Sequence, residues 1–205
     1  MNKQFSKYIA VVVLFMSVIS LNAQQQSIKL NEEESKVKWV GKKPTGEHNG
    51  YVKLSEGELK VNKNEVTGGS FTIDMNSITN VDLKDEGSNN KLVTHLKSGD
   101  FFDVEKFPTA KFVITKIEKQ KNTAQEPLKT THRVEGDLTI KGITKKVSFD
   151  ASINLLNGKF TASTPEFTIN RTEWNVNYQS KSVMAGLKDQ FIYDDITLSI
   201  EMVSL

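Results

Sequence analysis

The chain has 205 residues, of which 37% are hydrophobic and 25% charged, so it is too apolar for a disordered protein and the right length for one domain. It contains no cysteine, which excludes disulfide scaffolds, Cys-ligated zinc, iron–sulfur clusters and thiol chemistry. Its net charge of +2 disappears once Lys3 and Lys7 are set aside, because two of the 27 basic residues then drop out and the rest match the 25 acidic ones; a basic nucleic-acid-binding face is not expected.

Those two lysines open the first element. They precede an uncharged apolar run from Tyr8 to Leu21, and Leu21-Asn22-Ala23 then offers a small residue before Gln24. A charged start, a short apolar run and a small-residue boundary make a secretory signal peptide, and the run is shorter than the roughly 20 apolar residues a spanning helix needs. We therefore expect residues 1–23 to be a signal peptide and 24–205 to be one mature domain, working in the periplasm or secreted.

Period-two alternation dominates from there to the C-terminus. Val37 and Trp39 alternate with lysines. Leu59 and Val61 precede a turn at Asn62-Lys63-Asn64. Phe71-Ile73-Met75, Ala110-Phe112-Ile114, Leu138-Ile140, Val147-Phe149-Ala151-Ile153 and Ile196-Leu198-Ile200-Met202 follow in order. Each run buries one face and wets the other, as half-solvated antiparallel strands do. Gly68-Gly69 stands where the parity slips, since Val66 to Phe71 is an odd step; a bulge there restores the register. Asn157-Gly158 predicts a tight hairpin, because both central residues of a type I′ turn need positive φ.

One stretch departs from the pattern. Ser88–Gly99 reads as a short helix, with Leu92 and Leu96 on one face, Ser88 as cap and Gly99 as stop. An aromatic link, Phe101-Phe102 to Phe107-Pro108, leads into the next strand. Lys119–Thr131 reads as a hairpin connection and Glu173–Gln190 as a long polar loop. About eight antiparallel strands suggest a closed sheet, which has no exposed edges; a two-sheet sandwich remains open on periodicity alone.

Catalytic and metal chemistry find little support. Ser98, His95 and Asp100 share a short window, but Ser98 lies on no Gly-x-Ser-x-Gly elbow. His48, His95 and His132 show no ligand spacing, so no metal is expected. Asp194 and Asp195 are neighbours on a strand and point to opposite faces. The Glu32-Glu33-Glu34 run reads as a solvated segment. No glycine spacing fits a nucleotide loop. Eleven phenylalanines are the stronger signal, because they suit either a packed core or the lining of a greasy channel.

Several segments together resemble the YceI family. They are His48-Asn49-Gly50, the strand Phe71-Thr72-Ile73-Asp74-Met75-Asn76-Ser77-Ile78-Thr79, the run from His95 through Asp103 closing at Phe107-Pro108-Thr109-Ala110-Lys111-Phe112, and Val134 through Val147. The likeness runs in order from about Val37 to Met202. Where many members carry Arg-Asp before the helix histidine, this chain has Leu92 and Val93. The resemblance implies an all-β, lipocalin-like, eight-stranded antiparallel barrel with a short helix covering one opening. It implies binding of a long apolar ligand (a polyisoprenoid, isoprenoid quinone or fatty amide) rather than catalysis, with no cofactor besides that lipid. The alternatives are a filled barrel with a structural or interaction role and, behind it, a small-lipid enzyme. The implied ligand-binding residues are Phe71, Ile73, Leu92, His95, Leu96, Phe101, Phe102, Phe112, Ile114, Leu138 and Ile140. The expected partners are the lipid and, transiently, a membrane, with no nucleic acid, for a monomer or homodimer. The helix and its link are expected to gate the interior, with His95 at the mouth.

Overall fold

A computed structural model of the chain describes residues 26–120 and 130–205. The expected signal peptide and its boundary fall outside these residues, as does most of the Lys119–Thr131 connection.

The described residues form ten strands in one antiparallel sheet. They are β1 (Gln26–Lys29), β2 (Lys36–Lys43), β3 (Gly46–Asn62), β4 (Glu65–Asp74), β5 (Thr109–Lys119), β6 (His132–Ile140), β7 (Ile143–Leu156), β8 (Lys159–Ser163), β9 (Phe167–Asn170) and β10 (Asp195–Val203). The sheet closes because β3 pairs with β4 on one edge and with β2 on the other. Two of the walls are each built from a pair of short strands. β1 takes up alongside β3 where β2 leaves off, and β8 and β9 lie in turn along β10. Counted as walls, the ten strands make an eight-stranded barrel, and the sandwich is excluded.

The turns are those the sequence demands. Two-residue connections at Lys63-Asn64, Lys141-Gly142 and Asn157-Gly158 all have positive φ, the geometry that matches the twist of paired strands. The expected bulge exists, but its extra residue is Thr67, one position before the glycines. Lys60 pairs with Gly68 while Val61 pairs with Val66. Gly69 has φ +148° and packs so closely on β3 that a Cβ there would lie 2.5 Å from the Glu58 carbonyl oxygen.

The single α-helix of the described residues, α1, spans Glu86–Lys97, two residues ahead of its expected start. Its cap is Asp85 rather than Ser88. The Asp85 carboxylate accepts from the Ser88 backbone N–H at 2.8 Å and from the Ser88 hydroxyl at 2.7 Å. Both residues are good caps, and the carboxylate gains further from the positive end of the helix.

The barrel therefore has two unlike ends. The turns after β3 and β7 and the residue Leu30 close one of them. Leu30 is buried and lies over Gly57, whose missing side chain leaves it room. At the other end stand α1, the link 98–108 and the loop 171–194. One seam in the wall lacks a ladder: β7 pairs with β8 only from Ser152 onward, and β9 pairs only with β10. There Phe149 stacks on Phe167, with ring centroids 4.6 Å apart.

Candidate ligand cavity

The inward residues of the strands surround a cavity of about 200 Å³ at the helix end. Its wall is almost wholly apolar, and its polar neighbours (Lys42, Lys43, His48, Arg171 and Tyr193) stand at the ends of strands, on the rim. Tyr193 is exposed and Lys42 and Lys43 are exposed, so the cavity reaches the surface beside the β2–β3 hairpin.

Nine of the eleven residues named from the resemblance border this space: Phe71, Ile73, Leu92, Leu96, Phe101, Phe102, Phe112, Leu138 and Ile140. Leu92 and Leu96, one helical turn apart, bring the inner face of α1 onto it. Two do not. Ile114 points inward but lies one layer beyond Phe112, against a separate void of about 20 Å³. His95 is turned off the Leu92–Leu96 face by the helical step of 100° per residue. Its Nε2 sits 2.9 Å from an Asp100 carboxylate oxygen, and its ring meets the rings of Phe101 and Tyr178 edge-on at 5.0 and 4.6 Å. It braces the link rather than facing the mouth. The imagined triad is absent too, since the Ser98 hydroxyl donates to the His95 carbonyl at 2.8 Å and not to its ring.

Sequence reasoning missed much of the remaining wall. Trp39 and Trp174 both border the cavity, with Val176 and the β9 residues Phe167 and Ile169. Trp174 is buried with its indole N–H donating to the Leu138 carbonyl at 3.1 Å. The indole nitrogen of Trp39 is buried with no hydrogen-bond partner among the described residues.

Two polar knots hold the rim. In the first, His48 Nδ1 lies 2.8 Å from Asp82, which also accepts from the Asn49 N–H at 2.8 Å and from the Asn80 side chain. Partial burial pushes the Asp82 carboxyl up, but these donors outweigh it and bring it down to about 2. Asn89 of α1 donates to the Asn80 carbonyl at 3.0 Å, which ties the helix to this knot. In the second, the buried guanidinium of Arg171 donates to the carbonyls of Val176, Ile192 and Tyr193 at 2.6, 3.2 and 3.2 Å. Asp194 stands 3.8 Å away and accepts from Ser180 and Ser182. Burial lowers the Arg171 pKa, and Asp194 opposes this. The long loop that reads as polar is thus folded over the mouth by a buried cation. Among the described residues no group of acids and histidines is placed to hold a metal ion.

The YceI-like domain family model matches residues 28–204. The chain belongs to that family. It is 47% identical over 60 residues to a UPF0312 protein of Pseudomonas putida, covering 29% of this chain and 28% of that one. It is 30% identical over 115 residues to a UPF0312 protein of Staphylococcus aureus, covering 53% of this chain and 58% of that one. Among solved structures its fold is similar to BcnA of Burkholderia cenocepacia, with a TM-score of 0.62, 24% identity, and 86% and 99% of the two chains covered. It is similar also to a polyisoprenoid binding domain from Saccharophagus degradans, with a TM-score of 0.58, 11% identity, and 88% and 98% covered. At these identities the YceI-like barrel is what the structures share.

Proposed function

We propose that this YceI-like protein binds a long apolar ligand in its barrel cavity and serves outside the cytoplasm as its carrier, store or sensor. A polyisoprenoid, an isoprenoid quinone or a fatty amide suits the site. The observation that carries this reading is the cavity itself, about 200 Å³ walled by apolar side chains in an otherwise packed barrel. A chain lipid leaving water for such a space gains roughly 0.8 kcal/mol per buried CH₂, so few polar contacts are required. The binding domain from Saccharophagus degradans lends support through its shared fold.

Binding is the reading that the wall supports, since its surface is almost wholly apolar and its polar neighbours stand at the rim. Transient membrane contact fits the loop beside the mouth, where Val183 and Met184 are 55% and 46% exposed. The extracytoplasmic setting rests on the Lys3, Lys7 and Tyr8–Leu21 pattern, and intact-mass measurement of exported protein retaining Met1 would overturn it.

The test of the ligand is mass spectrometry of an organic extract from protein purified from its native host. A prenyl or acyl lipid in stoichiometric amount is expected. A clean extract, together with no uptake of added lipid, would leave a barrel with an interaction role instead.

A further inference from the structure

The cavity ends part-way down the barrel, and side chains rather than backbone end it. Phe71, Phe112, Phe149 and Ile200 border the cavity on one side and the 20 Å³ void on the other. The three rings form a row across the interior, with centroids 5.2 Å apart from Phe71 to Phe112 and 5.5 Å from Phe112 to Phe149. The row is held from behind. The Phe112 ring fills the place of a missing side chain at Gly136, where a Cβ would lie 2.3 Å from the ring's Cζ and 2.6 Å from the Val113 carbonyl oxygen. All three phenylalanines are buried, and close-packed rings do not swing aside without moving their neighbours.

We propose that this phenylalanine row is a stop that makes the protein select apolar chains by length. The inference rests on the binding function proposed above and adds a limit to it. Measured along β10 from Ile196, near the rim, to Ile200, at the row, the chain has about 13 Å of strand beside it. A ligand gains from each methylene buried above the row. A longer chain gains nothing more, and its surplus stays in the mouth or in water. Beyond the row, Leu59, Phe160 and Met202 already line an apolar void into which a chain could extend if a ring were smaller.

Trp39 and Trp174, the only two tryptophans of the chain, both border the cavity, so intrinsic fluorescence reads its occupancy. The experiment titrates the mature protein with geraniol, farnesol, geranylgeraniol and solanesol. For the wild type, affinity should rise with the first members and then stop rising. In Phe112→Ala the rise should continue, with the preference for solanesol over farnesol increased about tenfold, because further chain atoms become buried. Phe112→Leu, which removes less volume, serves if the alanine variant does not fold, and should move the preference the same way. An unchanged length preference in a folded variant overturns the stop while leaving the binding function intact. Absence of binding by every alcohol to the wild type overturns the binding function, and the stop with it.

Discussion

At the closed end of the barrel, Leu59, Phe160 and Met202 pack until only about 20 Å³ is left, whereas at the helix end side chains of the same kinds surround about 200 Å³. β3, β4, β5, β6, β7 and β10 run past both, so strand composition does not make the difference. The closures do. At one end the turns after β3 and β7 draw their strands together, and Leu30 fills what remains above Gly57. At the other end, beside the tight β2–β3 and β6–β7 turns, a helix, a link and a long loop stand over the opening, tied at the rim by polar groups, and Leu92, Leu96, Phe101 and Trp174 border the space without filling it. One barrel thus carries a core that stabilises it and a space that does not.

The contrast can be broken most severely at the closed end. Phe160 is 1% exposed, and Phe160→Ala should cost about 3–5 kcal/mol in denaturant unfolding. A cost below that of an ordinary surface change would mean that the closed end is not the stabilising core. Next comes the bulge. Gly69→Val forces a side chain against the Glu58 carbonyl at positive φ, and should lower stability by about 2–3 kcal/mol. An unchanged melting temperature would show that β4 can shift its register freely.

At the rim the effects shrink. The Asp82 carboxyl is held at about 2, below its ordinary 3.8, so its contribution is complete above pH 3.8 and lost as the pH falls through 2. Asp82→Asn should remove that part of the acid dependence, a difference of about 1 kcal/mol once solvent screening is allowed for. Identical acid unfolding curves for variant and wild type would release the knot from any role in stability. The smallest stability effect is expected at Leu96, half-buried over the cavity. Leu96→Ala should change stability by less than about 1 kcal/mol, since it already borders open space, yet lower the lipid recovered with the protein. Loss of folding in step with loss of lipid would make Leu96 ordinary core and remove the helix as a gate.

Much of this architecture is legible in the residues because it depends on local rules. Alternation marks β5, β6, β7 and β10, and Asn157-Gly158 announces its hairpin. What escapes is decided by distant partners. β9 is four residues long beside Pro165, too short to alternate visibly, and it exists because β10 pairs with it. Trp174 and Val176 sit in a stretch whose polar composition reads as loop, and distant partners hold them inward: the Arg171 guanidinium gathers three carbonyls and the Trp174 indole N–H donates to the Leu138 carbonyl. Ser88 and Asp85 compete for one cap within three residues, which moves the start of α1. His95 beside Leu96 reads as a mouth residue until the helical step carries its ring to Asp100.

The seam between β7 and β9 gives the wall an order of opening. From Ile143 to Phe149 the second edge of β7 has no strand ladder among the described residues, and the wall there is joined by Phe149 on Phe167. No backbone hydrogen bond of a ladder has to break for the two strands to part there. Amide protons on that edge should therefore exchange with solvent through small local fluctuations, while those between β3 and β4 wait for the barrel to come apart. Such exchange would place the breathing of the wall on one side of the molecule, along the seam where β7 and β9 meet through side chains.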